Sequence, residues 1–435
     1  MRVADRPLPP IVLHTDPGLD VWPIRPVVAI AGARPVEVYD DPLAVYDAAP
    51  LELEYDADVV PGFTDATCDV HGLETDTGHP DEGGNIAAGT AAVQLDNRTG
   101  AWSRYNSDGS LAGRGPGYEL VIWALERDTG QTDPMFRGTI TAWNDLGDTV
   151  EIEAFDAFSD LAQPIGTYTP GANGDTPAAR LGAILTSAGK ATIVHAFAPG
   201  AVTLTAQQTT AAPLDEMQTV VASDGGVLFA DADGTLRSFA RTWRAGRGDQ
   251  TDFPVASANV CTADTVVWDA ALSTNDSSAP DTVVLENVAH LHAQAPAGPL
   301  GRRVITDTGQ QWTTQAEGDT LAGFLATTLA GARVRVESFD LYLTAPTDAD
   351  LYRAAGWRLF DLLRWLHDYR AADGTLARLD VNTVIVSIGH NVTMGDSWVM
   401  TVETTPAVGS NTILVWNPPG DPYVWDTAGA VWGYQ

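Results

Sequence analysis

Between residues 90 and 156 the chain repeats one pattern: a short run of β-prone apolar residues, alternating with polar ones at 149–156, closed by turn-forming residues. Ala91-Ala92-Val93-Gln94-Leu95 stops at Asp96-Asn97-Arg98-Thr99-Gly100, and residues 118–126, 136–143 and 149–156 follow in the same style. Period-two patterning sends every second side chain to one face, so each run buries that face only by joining a sheet. Several short runs at this spacing predict a barrel or sandwich. Val27-Val28-Ala29-Ile30, Pro35-Val36-Glu37-Val38-Tyr39 and the alternating Leu51-Glu52-Leu53-Glu54-Tyr55 extend the β reading toward the N-terminus. Residues 71–87, rich in Gly, Asp, Thr and Pro, read as a long surface loop.

The texture changes near residue 165. Thr176-Pro177 opens a helix through Ser187, with Leu181, Ile184 and Leu185 apolar and Gly189 as its stop. A second helix runs from Pro213 to Ser223 and ends at Gly225-Gly226. Val227-Leu228-Phe229 and Leu236-Arg237-Ser238-Phe239 flank the turn Asp231-Ala232-Asp233-Gly234, a hairpin pattern. β character returns over 253–345, interrupted by a helix near 319–330. The leucines at 351, 359, 362, 363 and 366 predict a long amphipathic helix over 348–371, carrying Trp357, Trp365 and Tyr369 as packing residues. Strands at 382–389 and 397–404 close the body.

At 435 residues the chain is long enough for two to four domains. The pattern divides it into a β domain at 1–165, an α/β insertion at 166–250, a second β domain at 251–410 that includes the helix 348–371, and an arm at 411–435. The fold class is therefore β-rich α+β. No run of apolar residues is long enough to span a membrane, and the N-terminus has no apolar core of a secretory signal. The formal charge of −33 argues against gripping nucleic acid through its phosphates. Lys190 is the single lysine among 24 basic residues, as expected of a GC-rich coding sequence. Cys68 and Cys261 have no metal or redox spacing and read as buried thiols, with one long-range disulfide as the alternative.

The residues offer little chemistry. Asp231-Ala232-Asp233-Gly234 opens like a calcium loop, but no terminal glutamate follows, and a hairpin turn is preferred. His290 and His292 share one strand face without a third ligand. Glu151 and Glu153 are one acid pair among 57 acidic residues. No nucleophile elbow, zinc-protease helix or phosphate loop is present. The expectation is no catalytic residue, no metal, no cofactor and no enzyme. The last residues differ: Trp416, Tyr423, Trp425, Trp432 and Tyr434 lie among Pro and Gly. They read as an extended arm whose aromatics dock in a partner's groove. The alternative folds the arm back onto its own body.

The segment Thr90 to Gly100, with its Leu95-Asp96-Asn97-Arg98 core, resembles minor tail proteins of actinobacterial siphophages. Further pieces match in order: Phe136-Arg137-Gly138-Thr139-Ile140 before Trp143; Val150-Glu151-Ile152 before Phe155-Asp156-Ala157; Ser223-Asp224-Gly225-Gly226 before the hairpin; and Val384 to His390 before Gly395-Asp396-Ser397-Trp398. The resemblance covers roughly residues 50–405. It implies a tail-tip hub protein of the virion, sited at the distal end of the tail. It implies two β-barrel-like hub domains, a homotrimer forming a pseudo-sixfold ring, and neighbours among the distal tail, tape measure and tip or fibre proteins. DNA would pass through the ring without specific binding. A receptor- or glycan-binding tip protein is the alternative, since exposed Trp and Tyr stack on sugars.

Overall fold

The structure is a computed structural model, and it describes residues 22, 24–31, 63–78, 86–103, 115–126, 130, 132–206, 208–245, 260–262, 267–274, 282–287, 292–294, 304–329, 334–344, 351–370, 376–407 and 412–415. Seven strands come first: β1 (Ile24–Ala31), β2 (Phe63–Asp65), β3 (Val70–Thr77), β4 (Thr90–Asp96), β5 (Glu119–Glu126), β6 (Thr132–Asp145) and β7 (Thr149–Phe155). The α/β part begins with α1 (Ala157–Leu161), α2 (Pro177–Ser187), β8 (His195–Phe197), α3 (Pro213–Ala222) and the hairpin β9 (Val227–Ala230) and β10 (Leu236–Phe239). Next come β11 (Val260–Thr262), β12 (Val267–Thr274), β13 (Thr282–Asn287), β14 (His292–Gln294), β15 (Val304–Gln310) and α4 (Gln315–Leu329). The last strands are β16 (Val334–Tyr342), β17 (Leu362–Arg370), β18 (Leu376–Thr393), β19 (Ser397–Pro406) and β20 (Thr412–Val415).

Among the described residues, fourteen strands form one sheet, whose main path runs β12-β16-β19-β18-β3-β4-β7-β6-β5-β1-β2. Every pair on this path is antiparallel; β11 pairs with β17 in parallel off it. The path has two ends, so in the described residues the N- and C-terminal strands share one open ladder and do not close into separate barrels. The joint is β18, eighteen residues long, which pairs β3 through Ile388–Thr393 and β19 through Thr383–Thr393.

The alternating pattern sets the inner face. Ala91, Val93 and Leu95 of β4 are buried, while Thr90, Ala92 and Gln94 are exposed. Val93 stands opposite Ile152 of β7, whose Val150, Ile152 and Ala154 turn inward while Glu151 and Glu153 turn out. Burying each Val, Leu or Ile contributes about 1.5–3 kcal/mol. A slip of one residue would send all of them to water, so the register is firmly specified.

Two segments depart from the sequence reading. The stretch 71–87 was expected as loop, yet Val70–Thr77 is a strand held between β4 and β18. Its Gly, Asp and Thr residues signal turns locally, but two neighbouring strands complete its backbone hydrogen bonding. Val70, Leu73 and Thr75 point inward. The helix expected over 348–371 is also absent. Leu351–Gly356 is a 3-10 turn, and Leu362–Arg370 is β17, paired antiparallel with β18 over nine residues. Phe360 breaks any helical path, because its φ is +70° and it is fully buried. That conformation costs an L-residue about 1–2 kcal/mol. Trp357 falls in the turn and packs edge-on against Phe339, while Trp365 and Tyr369 lie on β17.

Other expectations agree with the structure. Thr176 Oγ1 caps α2 by accepting from the Ala179 amide at 3.4 Å, with Pro177 in the first turn. The helix placed near 319–330 starts earlier, at Gln315, because Thr314 and Glu317 form a capping box. The Thr314 amide donates to Glu317 Oε2 at 2.9 Å and the Glu317 amide to Thr314 Oγ1 at 3.3 Å. Cys68 corrects the expectation of a buried thiol, since it lies exposed on the 3-10 turn after β2.

Candidate functional site: an acidic sheet face and its docked α/β unit

The arm residues Trp416, Tyr423, Trp425, Trp432 and Tyr434 lie outside the described residues, as does His290. Among the described residues no group of three or more His, Cys, Asp or Glu could hold a metal ion. Asp231 and Asp233 are engaged by Arg237, at 2.7 and 3.2 Å, and Gly234 turns the chain at φ +81°. This is a hairpin turn closed by an ion pair, and its carboxylates are not arrayed around a cation.

The surface that stands out is the outer face of the large sheet. Strand register places Asp340, Thr401, Gly389, Asp76 and Thr90 in one row across β16, β19, β18, β3 and β4. The neighbouring row runs Val399, Asn391, Glu74, Ala92, Glu153. Glu151 and Glu403 belong to the same face. These rows carry carboxylates with no Lys or Arg among their described residues. Thr401 Oγ1 donates to Asp340 Oδ1 at 2.7 Å, which fixes one of those carboxylates.

The Leu-Asp-Asn-Arg segment sits at one end of this face. Asp96 accepts from the Arg98 amide at 3.0 Å and pairs with its guanidinium, which holds the carboxyl down at about 2. Asn97 is buried: its Oδ1 accepts from the Trp102 amide at 2.8 Å and its Nδ2 donates to the Gly147 carbonyl at 2.9 Å. The segment therefore closes its own turn through Asp96 and also staples it to the β6–β7 turn fifty residues away.

Beneath the face lie two buried ionisable groups. Asp156 Oδ2 accepts from the Gly89 amide at 2.6 Å and Oδ1 from the Phe158 amide at 2.9 Å. Burial raises its carboxyl to about 7, even though both bonds favour the charged form. His390 Nδ1 accepts from Trp398 Nε1 at 3.1 Å, and burial lowers its imidazole to about 3. The two act oppositely on stability. Asp156 favours the fold at low pH and loses that contribution as pH rises from 3.8 toward 7. His390 contributes fully above 6.5 and less as pH falls toward 3. Asp156→Asn is therefore expected to remove the first trend and expose the second. Its unfolding free energy, measured by urea titration, should rise more steeply from pH 4 to 6.5 than that of the wild type. An unchanged profile would reject the assignment.

The α/β part is fastened by a buried polar network. Arg180 of α2 is fully buried. It donates to the Ala172 carbonyl at 2.7 Å, the Thr205 carbonyl at 3.1 Å, Gln311 Oε1 at 3.3 Å and Asp175 Oδ2 at 3.3 Å. Gln311 passes the link onward, its Nε2 donating to Glu216 Oε1 at 2.6 Å and its amide to Ser223 Oγ at 2.8 Å. Glu317 accepts from Thr203 and Thr314. Burial pushes its carboxyl up, but these hydrogen bonds outweigh burial and hold it at about 2. Sequence reading missed Arg180. The available signal was a cation sharing the helical face of Pro177 and Ile184.

The fold defines a class: a β-rich α+β chain built on one extended antiparallel sheet, with an α/β unit inserted between its halves. Two solved structures share that fold. A 43 kDa tail protein of prophage MuSo2 from Shewanella oneidensis is 11% identical, with a TM-score of 0.51 over 87% of this chain and 98% of that one. The tail protein from Neisseria meningitidis MC58 is also 11% identical, with a TM-score of 0.52 over 80% of this chain and 94% of that one. No family model matches the sequence, and no curated protein matches it. No described helix is long and apolar enough to cross a membrane.

Proposed function

We propose that this chain is a structural protein of a phage tail, acting as a hub at the distal tip and not as an enzyme. The supporting observation is the fold shared with two tail proteins, one of them of a prophage, across 98% and 94% of those chains. In this reading residues 1–165 and 251–410 are the two hub domains, 166–250 is the insertion, and 411–435 is an arm. Three copies ring the end of the tail tube, join it to the distal tail, tape measure and tip or fibre proteins, and bound the DNA exit path in the virion. The resemblance to siphophage minor tail proteins supports the tip position. Trp416, Tyr423, Trp425, Trp432 and Tyr434 anchor the arm in a neighbour.

The acidic sheet face fits the wall of such a path. A duplex carries a phosphate charge about every 1.7 Å of its axis, so a surface of carboxylates repels it and prevents sticking. No chemical step is required of the protein, and its work is mechanical.

Light scattering of the full chain over a concentration series tests the ring. A mass near three chains is expected, and the same chain should be found at the tail tip of intact virions by immunogold labelling. A monomer at every concentration, together with label elsewhere on the particle, would overturn the reading. Binding of the isolated chain to host cell-wall glycan would favour a receptor-binding tip protein instead.

A further inference from the structure

Phe360 is the one described residue other than glycine with positive φ. It lies where the α/β hairpin meets the large sheet. The turn that presents it is tightly held: the Arg358 amide donates to Asp361 Oδ2 at 2.9 Å and the Asp361 amide to the Arg358 carbonyl at 3.1 Å. The Phe360 amide donates to the Ile385 carbonyl of β18 at 2.8 Å, and the Ile385 amide returns to the Asp361 carbonyl at 3.0 Å. This fixes the turn beside the irregularity in β18–β19 pairing between Ile385 and Ser387. From there the ring packs against three aromatic side chains of the other unit. Its centroid is 4.6 Å from Phe229 of β9, 5.5 Å from Phe239 of β10 and 5.4 Å from Trp243 just beyond.

Beside it, Asp231 and Ala232 of the hairpin turn line a small, partly open pocket with Thr77, Pro134, Ile388 and His390 of the sheet. At the hairpin tip, Gly234 rests against the Arg137 side chain, so closely that an added Cβ would stand 2.9 Å from Arg137 Cδ. Hairpin and sheet thus meet at the Phe360 ring and again at the tip of the turn, Gly234.

We infer that Phe360 is a latch: its ring holds the β9–β10 hairpin docked on the sheet, and the strained turn is poised to relax when the ring withdraws. Two discrete arrangements follow, docked with the left-handed turn and undocked with the turn relaxed, so the hairpin opens as a unit without global unfolding. A device of this kind lets an event on one unit be felt by the other, because anything that favours the undocked hairpin also frees the turn beside β18.

Hydrogen exchange on the full chain tests it. Phe360→Gly keeps access to positive φ without strain but removes the ring. Amides of Val227–Phe239 are expected to exchange at least ten-fold faster in this variant, while those of β4 and β7 keep their wild-type rates. Unchanged hairpin exchange, or equal acceleration in both regions, would overturn the latch. A second measurement uses the wild type alone, in low, sub-unfolding urea. The hairpin amides and the Phe360 amide should exchange through one shared opening that depends weakly on urea. If they exchange only with global unfolding, the latch is excluded even should the variant fail to fold.

Discussion

Arg180→Met is expected to cost about 3–5 kcal/mol of unfolding free energy, a large part of the stability of a chain like this. The guanidinium is the hub of the α/β network, reaching two backbone carbonyls, an amide oxygen and a carboxylate from one fully buried position. Methionine fills much of the volume but donates to none of them. The Ala172 and Thr205 carbonyls and Gln311 Oε1 each lose a donor, and Asp175 loses its cation. An unsatisfied buried acceptor alone costs about 1–3 kcal/mol. Lysine should not rescue, because a single ammonium cannot serve the fork of partners that the planar guanidinium serves. Urea titrations of the wild type, Arg180→Met and Arg180→Lys decide this. A loss below about 1 kcal/mol in the methionine variant would show that the network is incidental.

Trp398→Ala is expected to destabilise by about 3–5 kcal/mol, by emptying the sheet core beneath the acidic face. The indole is fully buried, 6.5 Å from the Trp22 ring and 6.0 Å from the His390 ring. Its N–H is also the donor to His390 Nδ1, so alanine opens a cavity and strands a buried acceptor together. The cavity lets water reach the imidazole and weakens the burial that lowers it. The variant should therefore lose less additional stability between pH 6.5 and 4 than the wild type does. Thermal unfolding at pH 7 and pH 4 reads both effects. A small loss at pH 7 would mean that the site collapses and fills the void.

If the acidic face bounds a DNA path, the two experiments bear on it differently. Trp398 packs beneath that face, whereas Arg180 ties α2 to the Ala172 and Thr205 segments and to Gln311, away from it. Loss of ring assembly in the first variant but not the second would tie the oligomer to the sheet.

What the sequence by itself determined are the elements whose cause lies within a few residues. The β-prone runs over 90–156 became β4 to β7; in β4 and β7 alternation fixes a face whatever the partner strand, while β5 is apolar from Leu120 to Leu125 and buried on both faces. The helices α2 and α3 and the Asp231–Gly234 hairpin formed as read, since Thr176, Pro177, Pro213 and Gly234 act on their own neighbours. The capping box at Thr314–Glu317 was equally local and placed the start of α4.

Only the tertiary structure decided the rest. Residues 70–77 look like a loop, yet become a central strand because β18 meets them from 311 residues away, where Thr77 Oγ1 donates to the Ile388 carbonyl at 2.8 Å. The leucines of 348–371 suit a helix by spacing. Pairing with β18 and β11 makes β17 from their second half, and the turn at Phe360 separates it from the first. Arg180 finds Gln311 across 131 residues, a meeting that no local pattern announces. Helix hydrogen bonds close within four residues and are written in the local pattern. Sheet ladders and buried polar networks close across the whole chain, and their partners are chosen only when the chain has folded.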